Sequence, residues 1–236
     1  MALAISRPFL LHYRAMNLRK VSAEGLGTAI LVMSVVGSGK MAQNLSNDIG
    51  LQLVINSAAT AAILYLLITT LSSISGAHFN PVVTGVFLFK RKIKAKEAMA
   101  YLVAQFFGAL IGTGLANLMF DLPVYTTSTN VRSGSNLFLS EIIATAGLVG
   151  IIFMAVNQGR EKKIPALVAT WIGAGYFFTS STSFANPAVT VARAFTDTFS
   201  GIAPESITAF IAAQIIGATL GYAITQGLTS KSGDKK

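Results

Sequence analysis

The sequence predicts an all-α membrane protein of six transmembrane helices and two re-entrant half-helices, arranged as an inverted repeat of three spans plus three. Three observations carry this expectation. Of 236 residues, 53% are hydrophobic and 11% charged, and the apolar residues fall in blocks of about the 20 needed to cross a bilayer core. One polar interruption occurs twice, as "SGAHFNPVVT" at 75–84 and as "TSFANPAVTV" at 182–191. Finally, Glu24, Asn80 and Gln105 are answered by Glu141, Asn186 and Gln214 at offsets of 117, 106 and 109 residues, close enough for one duplicated unit with altered loops.

Taken in order, residues 1–21 form a basic N-terminal segment that does not read as a signal peptide, because Pro8 and Arg14 interrupt its apolar run and no cleavage pattern follows. Spans are expected at 22–38, 49–71, 97–119, 137–157, 164–180 and 205–227. The first repeat then covers 22–119, an outer connecting loop 120–136, the second repeat 137–227 and a tail 228–236. Six spans put both termini on one side. Fifteen of the eighteen Lys and Arg residues fall on that side, in the N-terminal segment, in 90–96, in "GREKK" and in the tail; Lys40, Arg132 and Arg193 fall on the other. The positive-inside preference makes both termini cytoplasmic, and the short termini suit a bacterial inner membrane. Topology thus explains the formal charge of +9, and a nucleic-acid partner loses its main support.

Each repeat holds three spans, an odd number, so the second enters the membrane from the opposite face. Asn-Pro reads as a helix start, since Asn caps the first turn and Pro suits it. Segments 80–89 and 186–195 are too short to span and read as half-helices that meet at mid-membrane. The expected pore centre is therefore Asn80, Pro81 and Val82 with Asn186, Pro187 and Ala188. Irregular backbone at that depth is tolerated only where it is packed in protein or lines a watery cavity. Gly76, Ala77, His78 and Thr182, in the two approach loops, are therefore expected to line a pore.

These residues resemble the aquaporins and glycerol facilitators, the major intrinsic proteins. "SGAHFNP", the second "NPA", the two intramembrane glutamates, and "AQFFGA" and "AQIIGA" stand in the family's order, and the resemblance runs from Glu24 to about Gly227. It implies the aquaporin fold, a homotetramer in the lipid bilayer with one pore per subunit, and passive passage of small uncharged molecules. Two half-helix N-termini, each with about half a positive charge, would oppose cations and protons at the pore centre.

In the family, four positions set an outer constriction, commonly with an arginine directly after the second motif and at least one aromatic ring. Here Val189 stands in the arginine's place, and spacing puts the other three at Thr60, Ala174 and Ser183. With neither ring nor charge, the expected constriction is wide and selects by size and neutrality. Arg193 is expected to pair with Asp197, four residues on, in the outer vestibule; that it leans back to replace the missing arginine stays open. Val82 replaces the family's usual alanine, a packing change.

Glu24 and Glu141 lie inside predicted spans, where an acid is either a proton relay or, as the resemblance implies and the repeat favours, an anchor for the re-entrant loops. His78, whose repeat partner is Phe184, reads as a pore-wall histidine rather than a gate. With two histidines, no cysteine, no HExxH and no phosphate-binding glycine loop, no catalytic or metal site and no cofactor is expected. The expected function is a passive channel for small neutral solutes: polyols such as glycerol, metalloid hydroxides such as arsenous acid, with or without water. A water-selective aquaporin is the alternative within the class. A proton-coupled carrier working through Glu24 or Glu141 is the alternative from another class, and would show saturable flux driven by a pH gradient.

Overall fold

The computed structural model describes residues 17–229, so Arg7, Arg14 and the tail lysines Lys231, Lys235 and Lys236 lie outside the described residues. The first half comprises α1 (Leu18–Leu45), α2 (Ile49–Ser75), α3 (Pro81–Phe89) and α4 (Ala95–Met119). The second comprises α5 (Ser135–Asn157), α6 (Ile164–Phe178), α7 (Pro187–Ala192) and α8 (Pro204–Thr229). Short 3-10 turns, Glu161–Lys163 and Arg193–Phe195, precede α6 and follow α7, and no strand occurs among the described residues.

Local chemistry sets the breaks. Asp48 opens α2 by accepting the Leu51 N–H at 2.9 Å, and Gly76 closes it at φ +93°, a left-handed conformation that costs glycine nothing. Asn80 caps α3 by accepting the Val82 N–H at 3.1 Å. Asn186 caps α7 by accepting from Ala188 N–H at 3.0 Å and Val189 N–H at 3.3 Å. Pro81 and Pro187 follow at the first helical position, where a missing N–H costs nothing.

Five helices, α1, α2, α4, α5 and α8, are long and apolar enough to cross a membrane. α6 is shorter than the expected 164–180: it has 15 residues and ends at Phe178, a rise of roughly 22 Å. It stops there because Thr179 turns extended and the chain leaves the helix for the irregular approach to Asn186. The second half-helix is likewise shorter than 186–195, because the backbone tightens into a 3-10 turn at Arg193.

The two halves pack by one rule. A Cβ on Gly108 or Gly112 of α4 would collide with the Gly25 or Ala29 carbonyl of α1. A Cβ on Gly217 or Gly221 of α8 would collide with the Ile142 or Ala146 carbonyl of α5. Small residues let these helix backbones touch, which is how helices associate where lipid removes the hydrophobic drive. The apolar core runs across both halves, from Val32 and Val36 of α1 to Val149 and Phe153 of α5.

Candidate functional site

Each approach loop is held by a buried glutamate from its own half. Glu24 Oε1 accepts the Ser75 hydroxyl at 2.6 Å and the His78 N–H at 2.9 Å, while Oε2 accepts the Phe79 N–H at 2.7 Å and Gln105 Nε2 at 2.9 Å. Glu141 repeats the pattern: Oε1 accepts the Phe184 N–H at 2.9 Å, and Oε2 accepts the Ala185 N–H at 2.9 Å and Gln214 Nε2 at 2.8 Å. Gln105 and Gln214 also donate to Thr84 and Thr190, on the half-helices. Both carboxylates are fully buried, and hydrogen bonds to the charged form are what make such burial tolerable.

The loops they hold are bent alike. Ala77 and Phe79 sit at φ 52° and 49°, and Ser183 and Ala185, their repeat partners, at 53° and 48°. A non-glycine residue in this left-handed region costs about 1–2 kcal/mol, so such a conformation persists only where its surroundings over-determine it. The glutamate bonds to the neighbouring amides supply that determination.

The two loops meet tip to tip. Asn80 Nδ2 donates to the Ala185 carbonyl at 2.7 Å, and Asn186 Nδ2 donates to the Phe79 carbonyl at 2.8 Å. Each asparagine oxygen is already committed to its own half-helix, so each amide keeps one N–H free. Both asparagines line a cavity of about 90 Å³, large enough for several waters. Towards one end the cavity is walled by His78 and Phe87, towards the other by Thr60, Tyr176, Ser183, Val189 and Arg193. An apolar wall that includes Leu31, Leu64 and Leu148 faces the polar loops.

The structure places most of the expected residues on this cavity and moves others. Gly76, Ala77, His78, Thr60, Ser183 and Val189 line it. Pro81, Val82 and Ala188 are buried behind it, and Val83 takes the wall position instead of Val82. Thr182 is half-buried and does not reach the cavity. Ala174 is exposed on the outer face of α6. The wall residues of that helix are Ile164, Val168, Ile172 and Tyr176, a strict i, i+4 stripe, and Ala174 is turned nearly half a turn away from its neighbours Ile172 and Tyr176. That stripe is the signal available in the sequence, and it puts a ring where none was expected: the Tyr176 and Thr60 hydroxyls bond at 3.0 Å.

Arg193 is the larger correction. It forms no ion pair with Asp197, whose carboxylate accepts instead from the Thr129 N–H and hydroxyl, each at 2.9 Å. Arg193 is buried at 2% exposure; its Nε donates to the Ser200 carbonyl, and its guanidinium lies 3.4 Å from the Phe184 ring centroid. The i, i+4 expectation fails because residue 193 begins a 3-10 turn and Asp197 lies beyond its end. His78 is satisfied in the wall, with Nδ1 3.1 Å from the Thr84 hydroxyl and its ring stacked on Phe87 at 4.5 Å. Among the described residues no group of three His, Cys, Asp or Glu side chains could hold a metal ion.

A family model, that of the major intrinsic proteins, matches residues 12–184. The aquaglyceroporin AqpS of Rhizobium meliloti is 49% identical over 210 residues, which cover 89% of this chain and 90% of that protein. The chain belongs to the major intrinsic protein family. Aquaporin-4 of Mus musculus is 32% identical over 161 residues, 66% of this chain, and the match spans 49% of that relative's length. The solved aquaglyceroporin from Plasmodium falciparum shares the fold at a TM-score of 0.65, covering 91% of this chain and 96% of its own, at 21% identity. As a major intrinsic protein the chain is an integral membrane channel and not an enzyme. It departs from the family's usual arginine after the second Asn-Pro motif and carries Arg193 one helical turn further on.

Proposed function

We propose that this channel passes small neutral solutes, polyols such as glycerol among them, and excludes ions and protons. The carrying observation is the pair of asparagines, each capping a half-helix, each bonded to the opposite loop, and each keeping an N–H for a solute oxygen. Two helix N-termini converging on that point repel cations, and a proton file cannot run through amides that only donate. The Rhizobium relative's name, aquaglyceroporin, supports polyols as solutes. Undissociated metalloid hydroxides such as arsenous acid share the size and hydroxyl display of a polyol and belong to the same proposal. So do a homotetramer in the inner membrane with both termini cytoplasmic, and the division into repeats at 22–119 and 137–227.

The outer constriction is assigned to Thr60, Tyr176, Ser183, Val189 and Arg193. It offers hydroxyls that donate and accept, Ser183 Oγ being buried without a partner, and guanidinium N–H groups that only donate. A solute whose hydroxyls do both matches that set. The presence of both Arg193 and Tyr176 on the cavity wall favours a second reading, a water-selective pore. The carrier reading finds little support in the glutamates, whose oxygens are taken up by loop amides.

Stopped-flow light scattering on proteoliposomes decides between them, with water, glycerol and arsenous acid compared side by side. Rapid glycerol shrinkage and reswelling above protein-free vesicles is the expected result. Water flux without glycerol flux establishes the narrow reading, and flux that follows an imposed pH gradient overturns both.

A further inference from the structure

Arg193 stands on the cavity wall without an ionic partner. Among the described residues the one ion pair is Lys20 with Glu97, and the Asp197 carboxylate is taken up by Thr129. Two neutral contacts hold the guanidinium instead: it lies on the Phe184 ring, and its Nε donates to the Ser200 carbonyl. Phe184 is fixed through its N–H by Glu141. Ser200, by contrast, belongs to irregular backbone, 196–203, and its carbonyl needs a fixture of its own.

A ladder of buried side chains supplies one. The Ser200 hydroxyl lies 3.2 Å from the Thr198 hydroxyl, which lies 3.2 Å from the Thr196 hydroxyl, and Thr196 donates to Asn117 Oδ1 on α4 at 2.8 Å. Asn117 cannot turn away, because its Nδ2 donates to the Val124 and Phe195 carbonyls at 2.9 and 3.1 Å. The four side chains are at most 3% exposed, and a satisfied polar network at such burial makes its surroundings rigid. At its near end the ladder is backed by Gly39 of α1, where an added Cβ would stand 3.2 Å from the Ser200 Cβ.

We propose that Thr196, Thr198 and Ser200, braced by Asn117, are positioning residues for solute selection: they hold the Ser200 carbonyl where it fixes the Arg193 guanidinium at the cavity wall. None of the four lines the cavity, so their effect on solute passes through Arg193. A single acceptor at Nε fixes the guanidinium and leaves its terminal N–H groups for solute oxygens, whereas a fork-to-fork pair with a carboxylate would claim them. This role rests on the outer constriction proposed for Arg193.

Ser200→Ala keeps the carbonyl and deletes the hydroxyl, Thr196→Val cuts the ladder from Asn117, and Thr196→Ser keeps that link. Stopped-flow light scattering on proteoliposomes measures glycerol and water permeability for each, with Arg193 present and in the Arg193→Ala background. The ratio of glycerol to water permeability is expected to rise about threefold in Ser200→Ala and in Thr196→Val, the scale of one net hydrogen bond, and to stay at the wild-type value in Thr196→Ser. In the Arg193→Ala background the same substitutions are expected to add nothing. If Thr196→Val does not fold, Ser200→Ala decides alone. Both permeabilities falling in proportion, with the ratio unchanged, shows a merely structural ladder and overturns the proposal. An equal rise with and without Arg193 overturns it as well, because the ladder then reaches the solute by another route. A ratio that Arg193→Ala itself leaves unchanged takes Arg193 out of the constriction, and the proposal falls with that reading; a ratio raised by Arg193→Ala and by neither ladder variant overturns the positioning role alone.

Discussion

The Arg193 guanidinium lies against the Phe184 ring at 3.4 Å, with Arg132 on the same ring at 5.2 Å. Arg132 is itself fixed by bonds to the Gly201 and Phe199 carbonyls, at 2.9 and 3.3 Å. A cation over an aromatic face gains most where water is excluded. Phe184 therefore does two jobs: its N–H is gripped by Glu141 and its ring holds the Arg193 guanidinium at the cavity wall.

Arg193→Ala removes both bulk and donors from the cavity wall. Glycerol permeability is expected to rise by about fivefold, the equivalent of lowering a barrier by about 1 kcal/mol, while water permeability changes less. Val189→Arg adds a second guanidinium to the same level and is expected to abolish glycerol flux while sparing water. Stopped-flow traces for both variants on one batch of vesicles check the pair. Unchanged glycerol flux in Arg193→Ala would remove Arg193 from the constriction.

Glu24→Gln and Glu141→Gln keep side-chain shape but turn an NH2 group towards loop amides that also donate. Each variant loses at least one charge-assisted bond and is expected to cost about 2–4 kcal/mol, since such bonds contribute about 1.5–3 kcal/mol and an unpaired buried amide adds its own penalty. Both should lower the thermal midpoint of the detergent-solubilised channel and reduce water and glycerol flux together. A variant that keeps full stability but loses only pH-gradient-driven uptake would reinstate the carrier reading.

Much of this architecture is legible from spacing alone. The Asn-Pro pairs, the glutamates and the glutamines stand at near-constant offsets, and a duplicated unit with three spans admits one inverted arrangement. Counting lands Thr60 on the cavity wall because α2 is a regular helix, with Thr60, Leu64 and Ile68 on one face. The same counting misplaces Ala174 because α6 ends early and the count crosses irregular backbone, whereas the apolar i, i+4 stripe ending at Tyr176 needs no count. Arg193 eludes the sequence for a different reason. A helical i, i+4 rule holds only while the chain stays α-helical, and α7 gives way after Ala192. Which carbonyl claims the guanidinium depends on the Ser200 loop folding back, a long-range event with no local signature.

Asn186→Ala tests the pore centre. It removes the cap of α7, the bond to the Phe79 carbonyl and one free donor in the cavity. Loss of the cap costs about 1 kcal/mol, and the orphaned carbonyl adds a comparable amount. Water and glycerol permeability are both expected to fall by roughly tenfold, the equivalent of about 1.4 kcal/mol in a barrier. Asn80→Ala should match it, because the two residues exchange equivalent bonds across the repeat axis. A large effect at one asparagine and none at the other would break the symmetry on which the pore assignment rests.

The glycines offer a test of packing that is independent of the pore. Gly112→Leu and Gly221→Leu would each force a side chain into a backbone carbonyl of the partner helix, and neither site has a flexible neighbour to give way. Overpacking of this kind costs about 1–3 kcal/mol or more, so both variants should lose thermal stability to a similar degree and fold in lower yield. Gly85, in the exposed middle of α3, has open space where a methyl group would stand, with nothing within 4 Å, and φ there is helical. Gly85→Ala is therefore expected to be neutral or to stabilise by up to about 1 kcal/mol, through the backbone entropy that glycine loses in a helix. Thermal melts of the three variants side by side check the contrast. A Gly221→Leu channel as stable as Gly85→Ala would mean that α5 and α8 are not in backbone contact.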